Sequence, residues 1–375
     1  MLRNSKIIIT ICLILISYGI LVLSSASSIY STSGSSYYLN RQLFWLLLSL
    51  ITSLIIIRID YHNLEKFVIP ISFITILLLI AVLVPGIGKM VNGSWRWLQI
   101  GPMTIQPSEF SKPSILILLS WFLSRNIRKL NLYKYGIYIP FIFLGLFVIP
   151  IVMEPDYGTT ILISAVSICL IFISGSPLKP LILLASIGFV SVGILIINNP
   201  ERMGRIFAFL NPEAHQTSSA YQLKNSLIAF SEGKEWGLGF GSSIQKYKYL
   251  PEAHTDFIFP IIGEEFGLFL GSLPVLLLYF LLFIYGLRVS RKAKDYFGML
   301  LSYGITLMIS FQALLNLLVV TGMAPTKGIA LPFISYGGSS LLTSIIMISI
   351  LLNIAIDSEV EIKQKNKRLF KDKGY

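Results

Sequence analysis

The sequence predicts an all-α integral membrane fold: a polytopic bundle of about ten transmembrane helices, with a long loop between the seventh and eighth. Three observations carry that prediction. The chain of 375 residues is 54% hydrophobic and only 13% charged, about half the charged fraction of an ordinary soluble domain. Apolar runs of about 20 residues recur from end to end, the length needed to cross a hydrocarbon core roughly 30 Å thick. Lys and Arg collect in alternate connections between those runs, as the positive-inside rule requires. An unusually apolar soluble core would not repeat such runs.

Taken in order, the predicted spans cover 7–26, 42–57, 67–85, 109–124, 136–153, 158–175, 181–197, 265–287, 296–320 and 338–356. The first begins with Arg3 and Lys6 and ends in small residues, as a signal peptide would. Its apolar core is longer than such a peptide needs, so it is read as an uncleaved helix. With the N-terminus inside, nineteen of the 30 Lys and Arg fall in cytoplasmic segments, including six in the tail 357–375. Both termini are therefore expected in the cytoplasm and the number of spans even. The tail reads as a solvated anchor against anionic lipid. The whole of 1–375 reads as a single membrane domain.

Composition also excludes. A net charge of +12 would suggest nucleic acid in a soluble protein, but topology accounts for it, and no nucleic-acid partner is expected. Cys12 and Cys169 both lie in apolar runs, so no disulfide framework is implied. No P-loop, zinc spacing or Ser-His-Asp order occurs.

Three polar loops, 86–108, 198–264 and 321–337, fall together on the outer face. The second is far longer than its neighbours, which favours a functional loop. It ends in YLPEAHTDFIFPIIGEEFGLF (249–269), with Glu252, Asp256, Glu264 and Glu265 in fourteen positions of a chain that has only 18 acidic residues. Thr255 or Asp256 could cap the helix that follows. A partly desolvated carboxylate at this depth would instead serve as a general base. The residue types leave cap and base equally open.

In GSWRWLQIGPMTIQPSEFSK, Trp95 and Trp97 flank Arg96 as interfacial aromatics do. Glu109 and Lys112 share a helix face, as a buried ion pair or as a lysine aimed at an anionic ligand. MEPDYGTT (153–160) sets Glu154 beside Asp156 in a turn, either solvated or holding a divalent cation with a diphosphate. Prolines and glycines in TGMAPTKGIALPFISYGGSS (321–340) mean irregular backbone, tolerated at membrane depth only in protein or along a wet cavity. Lys327 there, and Arg202, Arg205, Lys246 and Lys248 of the long loop, face either phosphate or lipid headgroups.

These strings, GSWRW…QPSEFSK, PDYGTT, NPE…YQ…GLGFGSSIQKYKYLPEAHTDFIFPIIGEEFG and N…TGMAPTKGIALPFISYGGSS (from Asn316), resemble the shape, elongation, division and sporulation family over nearly the whole chain. PTKG before LPFISYGGSS is most similar to its FtsW/SpoVE branch. The resemblance implies a ten-helix peptidoglycan glycosyltransferase in the bacterial cytoplasmic membrane. Such an enzyme polymerises lipid II on the outer face, and resemblance to that branch implies a part in cell division, beside a class B penicillin-binding transpeptidase and other divisome proteins. The family's essential aspartate matches Asp256, its QPSE..K pair Glu109 and Lys112, and its PD-G-T aspartate Asp156. Asn316, Ser335, Gly337 and Gly338 belong to its last motif. Glu154 stands where glutamine is common, Tyr157 where leucine is, and Pro260 where a small residue is.

The expected reaction is attack by a sugar hydroxyl on the anomeric carbon of a lipid-linked sugar, with Asp256 as base and undecaprenyl diphosphate leaving. Lys112, Arg205, Lys246, Lys248 and Lys327 form the pool of cations for that diphosphate. Glu264 and Glu265 are expected to orient Asp256, bind a cation or pair with lysines. No cofactor is required by the sequence, and Mg2+ or Mn2+ is the one candidate supplement. A lipid II flippase and a non-catalytic scaffold for the transpeptidase are the alternatives.

Overall fold

The protein is described from a computed structural model covering residues 3–27, 37–91, 94–101, 103–211, 218–247 and 249–372. The helices are α1 (Arg3–Ser27), α2 (Tyr37–Arg58), α3 (Leu64–Val82), α4 (Pro107–Arg125), α5 (Ile139–Met153), α6 (Tyr157–Ile173) and α7 (Leu178–Ile197). They continue with α8 (Pro200–Leu210), α9 (Ser218–Gly233), α10 (Ile258–Gly267), α11 (Leu273–Lys292), α12 (Tyr296–Val320) and α13 (Gly338–Asp372). Eight spans among the described residues are long and apolar enough to cross a membrane. The remaining two expected crossings are α6, which is shorter, and α4, whose apolar run is broken by Glu109, Lys112 and Arg125.

The termini meet on one face. The backbone amides of Asn4 and Ser5 and the Ser5 hydroxyl donate to the Glu359 carboxylate at 2.7, 3.3 and 2.9 Å. A carboxylate there offsets the orphan donors and positive dipole at the start of α1. The contact requires an even number of crossings between the two ends.

The predicted bundle differs in four places. The eighth span starts at Ile258 rather than 265 and runs to Lys292 through a π-turn at Leu268–Ser272, so Glu264 and Glu265 lie within the helix. The loop 198–264, expected without elements, contains α8 and α9. The last helix continues past 356 to Asp372. The segment 86–108, also expected as loop, folds into β1 (Gly88–Val91), β2 (Ser94–Ile100) and β3 (Met103–Ile105), an antiparallel sheet in that order. Leu98 pairs with both Gly88 and Ile105, and a bulge at Lys89/Met90 bends the outer pair. A strand period of two over so short a stretch is masked by the Trp-Arg-Trp run.

The centre of the bundle is α4 and α12. Nearly every side chain of α4 is buried, including Glu109, Ser111 and Lys112. It packs on α3, α5, α6, α12 and α13, while α13 packs along α2. Hydrocarbon gives helices no hydrophobic reason to associate, so close fit and hydrogen bonds must hold them. Gly338 shows the fit: a Cβ there would overlap the Trp45 indole of α2. Amide side chains supply the bonds. Asn353 of α13 donates to the carbonyls of Ile56, Ile57 and Ile59 at 2.9, 3.1 and 2.5 Å, closing the end of α2.

Candidate active site

A cavity of about 570 Å³ opens at the end of the bundle that carries the sheet and the long loop. It is walled by β2, the starts of α4 and α9, the 155–159 turn, α8, and the facing loops around Asp256, Lys327 and Tyr336. Its basic lining residues are Arg96, Lys112, Arg202, Arg205 and Lys327; its acidic ones are Glu109, Asp156, Glu252 and Asp256. The sequence-predicted residues Glu109, Lys112, Asp156, Arg205, Asp256, Lys327 and Gly337 therefore share one chamber.

Asp256 does not cap a helix. Phe257 is the N-cap of α10 and no side chain caps it. The Thr255 hydroxyl turns back to the Glu252 carboxylate at 2.8 Å instead. Pro260, in the first turn of α10, lacks an amide that would in any case be unbonded there. The Asp256 backbone carbonyl accepts from the Asn316 amide of α12 at 2.8 Å, and the same amide donates to Ile329 at 2.7 Å. One buried side chain thus ties the two loops on either side of the chamber. Gly328 gives the carboxylate room, because a Cβ there would stand 2.9 Å from Asp256 Oδ2. The carboxylate itself accepts no hydrogen bond among the described residues. Burial pushes its pKa up to about 7; Glu252, Asp156 and Glu109 add to the rise and Arg96 opposes it.

Asp156 is neither solvated nor free. It is buried and caps α6, accepting from the Thr159 amide at 3.2 Å and the Thr159 hydroxyl at 2.8 Å. Glu154 beside it is fully buried, and neither carboxyl oxygen finds a partner among the described residues. Burial pushes its pKa up to about 9, with the Asp156 charge adding and Arg96 opposing. Two arginines clamp this turn. Arg96 donates to the carbonyls of Glu154 and Pro155 at 3.1 and 2.6 Å, and Arg202 donates to Pro155 at 2.6 Å. Arg202 also lies 4.1 Å over the Tyr157 ring, a cation–π contact. Lys327, half-buried opposite, has its pKa lowered by burial first and by Arg202 second, with Asp156 opposing.

Lys112 donates to Glu109 at 2.7 Å and to the Gln312 side chain of α12 at 2.9 Å. Gln312 in turn donates to the Ala330 carbonyl at 2.9 Å. The pair is thus both a buried ion pair and part of the wall. Ser335 and Gly337 shape the last loop: the Ser335 hydroxyl accepts from Leu331 at 2.8 Å, and Gly337 donates to Gln42 at 3.2 Å.

Four expected site residues, Lys246, Glu264, Glu265 and Gly338, lie elsewhere. Lys246 is not among the lining residues; its ammonium donates to Glu265, the Ser25 hydroxyl and the Gly241 carbonyl at 2.9, 2.8 and 2.6 Å. The Ser25 hydroxyl completes the group by donating to Glu265 at 2.5 Å. Glu264 accepts from the Ser243 hydroxyl and from the Ile244 amide, the latter at 2.8 Å. Neither glutamate orients Asp256; together they fasten loop 241–246 to α1 and α10. Gly338 supports α13 against Trp45 rather than lining the chamber. Lys248 lies outside the described residues.

Sequence reasoning gave Arg96 and Glu252 no chemical part, and missed Gln312 and Tyr336. Arg96 was hidden because its role depends on the sheet, and Glu252 because a turn residue with φ +58° shows nothing in the sequence of where it points.

A family profile for cell cycle proteins, FtsW/RodA/SpoVE, matches residues 5–360. The chain is 37% identical over 345 residues to a protein of Trichlorobacter lovleyi named probable peptidoglycan glycosyltransferase FtsW, covering 91% of this chain and 90% of that one. A Legionella pneumophila protein of the same name is 40% identical over 342 residues, covering 90% and 86%. Among solved structures, the fold is similar to Thermus thermophilus rod shape determining protein RodA, with a TM-score of 0.70, 24% identity and coverage of 94% and 96%. It is similar also to a chain of the structure described as "Structural coordination of polymerization and crosslinking by a peptidoglycan synthase complex", with a TM-score of 0.77, 24% identity and coverage of 94% and 97%.

Proposed function

The chain belongs to the FtsW/RodA/SpoVE family, and from that premise we propose that it is a peptidoglycan glycosyltransferase that polymerises lipid II, with Asp256 as general base. The observation that carries the reading is a half-buried carboxylate without a hydrogen-bond partner among the described residues, facing a chamber rich in cations. A carboxylate engaged by caps or lysines could not take a proton at neutral pH; this one, with a pKa near 7, can.

The acceptor's sugar hydroxyl gives its proton to Asp256 as its oxygen bonds to the donor's anomeric carbon. The bond from that carbon to the diphosphate breaks, and undecaprenyl diphosphate leaves with the electron pair. Direct displacement inverts the anomeric centre. Proton removal in this manner is worth roughly 10²–10⁴-fold. Charge growing on the diphosphate is met by fixed cations, for which Arg205, Lys327 and the arginines that clamp the 154–155 turn are suited. A divalent cation, Mg2+ or Mn2+, fits in one way. No three His, Cys, Asp or Glu residues gather as a ligand set among the described residues, so Asp156 on the chamber wall would be the residue to hold it, with the substrate supplying the rest. It would add positive charge at the leaving group.

The chamber opens beside the membrane-spanning helices, which lets a polyprenyl tail stay in lipid while its saccharide reacts. The distribution of Lys and Arg supports placing that end on the outer face of the cytoplasmic membrane. The family's description as cell cycle proteins supports a part in cell division, and the likeness to a synthase complex supports a crosslinking partner, a class B transpeptidase.

The test supplies labelled lipid II to purified protein, with and without the candidate transpeptidase and with its crosslinking inhibited. Polymer from wild type and a loss of at least 100-fold in folded Asp256→Asn protein is expected. Equal polymer from both removes Asp256 as the base, and none from wild type with partner and cation removes the polymerase reading.

A further inference from the structure

The mechanism above employs charge; it leaves unassigned an aromatic group on the same chamber. Tyr336 lines the cavity and is half-buried. Behind it stand Tyr38 of α2 and His254 of the long loop. The Tyr38 ring lies 5.1 Å from Tyr336, edge-on at 78°, and 4.4 Å from His254 at 34°; His254 and Tyr336 are 5.8 Å apart. These are favourable separations for aromatic pairs. Tyr37 continues the stack, edge-on to Tyr38 at 5.4 Å, and accepts from Arg41 at 2.7 Å.

Packing in a core would explain such a cluster, but this one is not in a core. It joins three separate segments at the rim of a polar chamber. It is also tied to the reacting carboxylate, because the Tyr336 amide donates to the His254 carbonyl at 3.0 Å. His254 is two residues from Asp256, at most about 7 Å along an extended chain. Burial lowers the His254 pKa against the pull of Glu252, so the ring joins the stack uncharged. Gln42 fixes the segment from below, donating to the Ser335 carbonyl and accepting from the Gly337 amide at 3.3 and 3.2 Å. The result is a buttressed ring whose exposed part looks into the chamber near Asp256.

We propose that Tyr336, seated on Tyr38 and His254, is the platform on which a pyranose ring of the lipid-linked saccharide stacks. A hexose has an apolar C–H face and a hydroxylated edge, and an aromatic ring offers matching apolar area with a polar tip. Stacking holds the sugar plane while leaving its hydroxyls turned toward Asp256. This inference rests on the polymerase reading and supplies what the charged residues do not, recognition of the sugar rather than the diphosphate.

The test measures binding in the Asp256→Asn background, where lipid II is not consumed, using two probes: lipid II and undecaprenyl diphosphate, which lacks the saccharide. Tyr336→Leu is expected to weaken lipid II about tenfold and to leave undecaprenyl diphosphate within twofold. Tyr336→Phe should bind both as the parent does, and Tyr38→Leu should show the same selective loss, smaller. Binding of undecaprenyl diphosphate also reports that each variant is folded; equal loss of both probes in both leucine variants makes the cluster structural and overturns the platform. If the protein carrying Asp256 polymerises and its Asn variant prefers lipid II, a Tyr336→Leu variant that keeps that preference overturns the platform alone. If the protein carrying Asp256 makes no polymer and its Asn variant shows no preference for lipid II, both readings fall together.

Discussion

Replacing Glu252 with Gln should shift the acidic limb of the pH–rate profile downward without changing the residue that does the chemistry. Asp256 must be ionised to accept a proton, and its pKa near 7 leaves only about a tenth of the protein active at pH 6. Burial is the largest cause of that value and the Glu252 charge the next. Glutamine keeps the side-chain oxygen that accepts from Thr255 at 2.8 Å and removes only the charge. Loss of a like charge across a wet chamber is worth about 0.5–1 pKa unit. The ionised fraction at pH 6 then rises from roughly a tenth to between a quarter and a half. Initial rates of polymer formation at saturating lipid II, taken from pH 5.5 to 8.5, should therefore rise about two- to fivefold at pH 6. They should change little at pH 8. An unmoved midpoint would refute the electrostatic argument. A wild-type rate that is level across the range, in a protein still dependent on Asp256, would refute its titration near neutrality.

Other tests address groups outside the reaction itself. Glu154 carries its proton at pH 7, since its pKa is about 9 in the folded protein. An unfolded glutamate titrates near 4.3, so the folded state binds more protons between these values and stability falls as pH rises through that window. Glu154→Gln should raise the Tm at pH 8, by on the order of 1–3 kcal/mol in stability, and flatten its dependence on pH; a lower Tm at pH 8 would contradict this. Lys246→Met leaves Glu265 buried without its cation and should cost about 3–5 kcal/mol, with much of the loss restored by adding Glu265→Gln. Folded double mutant should keep the wild-type KM for lipid II, whereas a raised KM would return Lys246 to the phosphate pool.

The motifs disclosed the chamber before the fold did, because residues that meet a substrate must be specific types in specific turns. QPSEFSK, PDYGTT and HTDF each contribute a lining carboxylate, and PTKG contributes Lys327. What they did not disclose is how each group is held. Asp156 looks like an ordinary solvated turn residue and is a buried cap. Glu264 and Glu265 stand eight and nine positions after Asp256 and look like its neighbours, yet a helix turns them toward Ser243 and Lys246. Arg96 reads as an interfacial residue between tryptophans until the sheet forms and sends it to the 154–155 carbonyls.

The sequence by itself determined the solvent and the topology. Apolar runs of membrane length and the bias of Lys and Arg are properties of composition along the chain, and no packing is needed to decide them. It also determined the family, since its motifs are long and stand in order. Only the tertiary structure decided which ionisable groups remain available for chemistry. Whether a carboxylate is spent on a cap, a lysine or nothing depends on partners far away in sequence. Asn316 holds the Asp256 backbone from 60 positions away, and Lys246 meets Ser25 from 221. Burial sets the charge state of Asp256 and Glu154 as well, and burial exists only when the helices have closed around them.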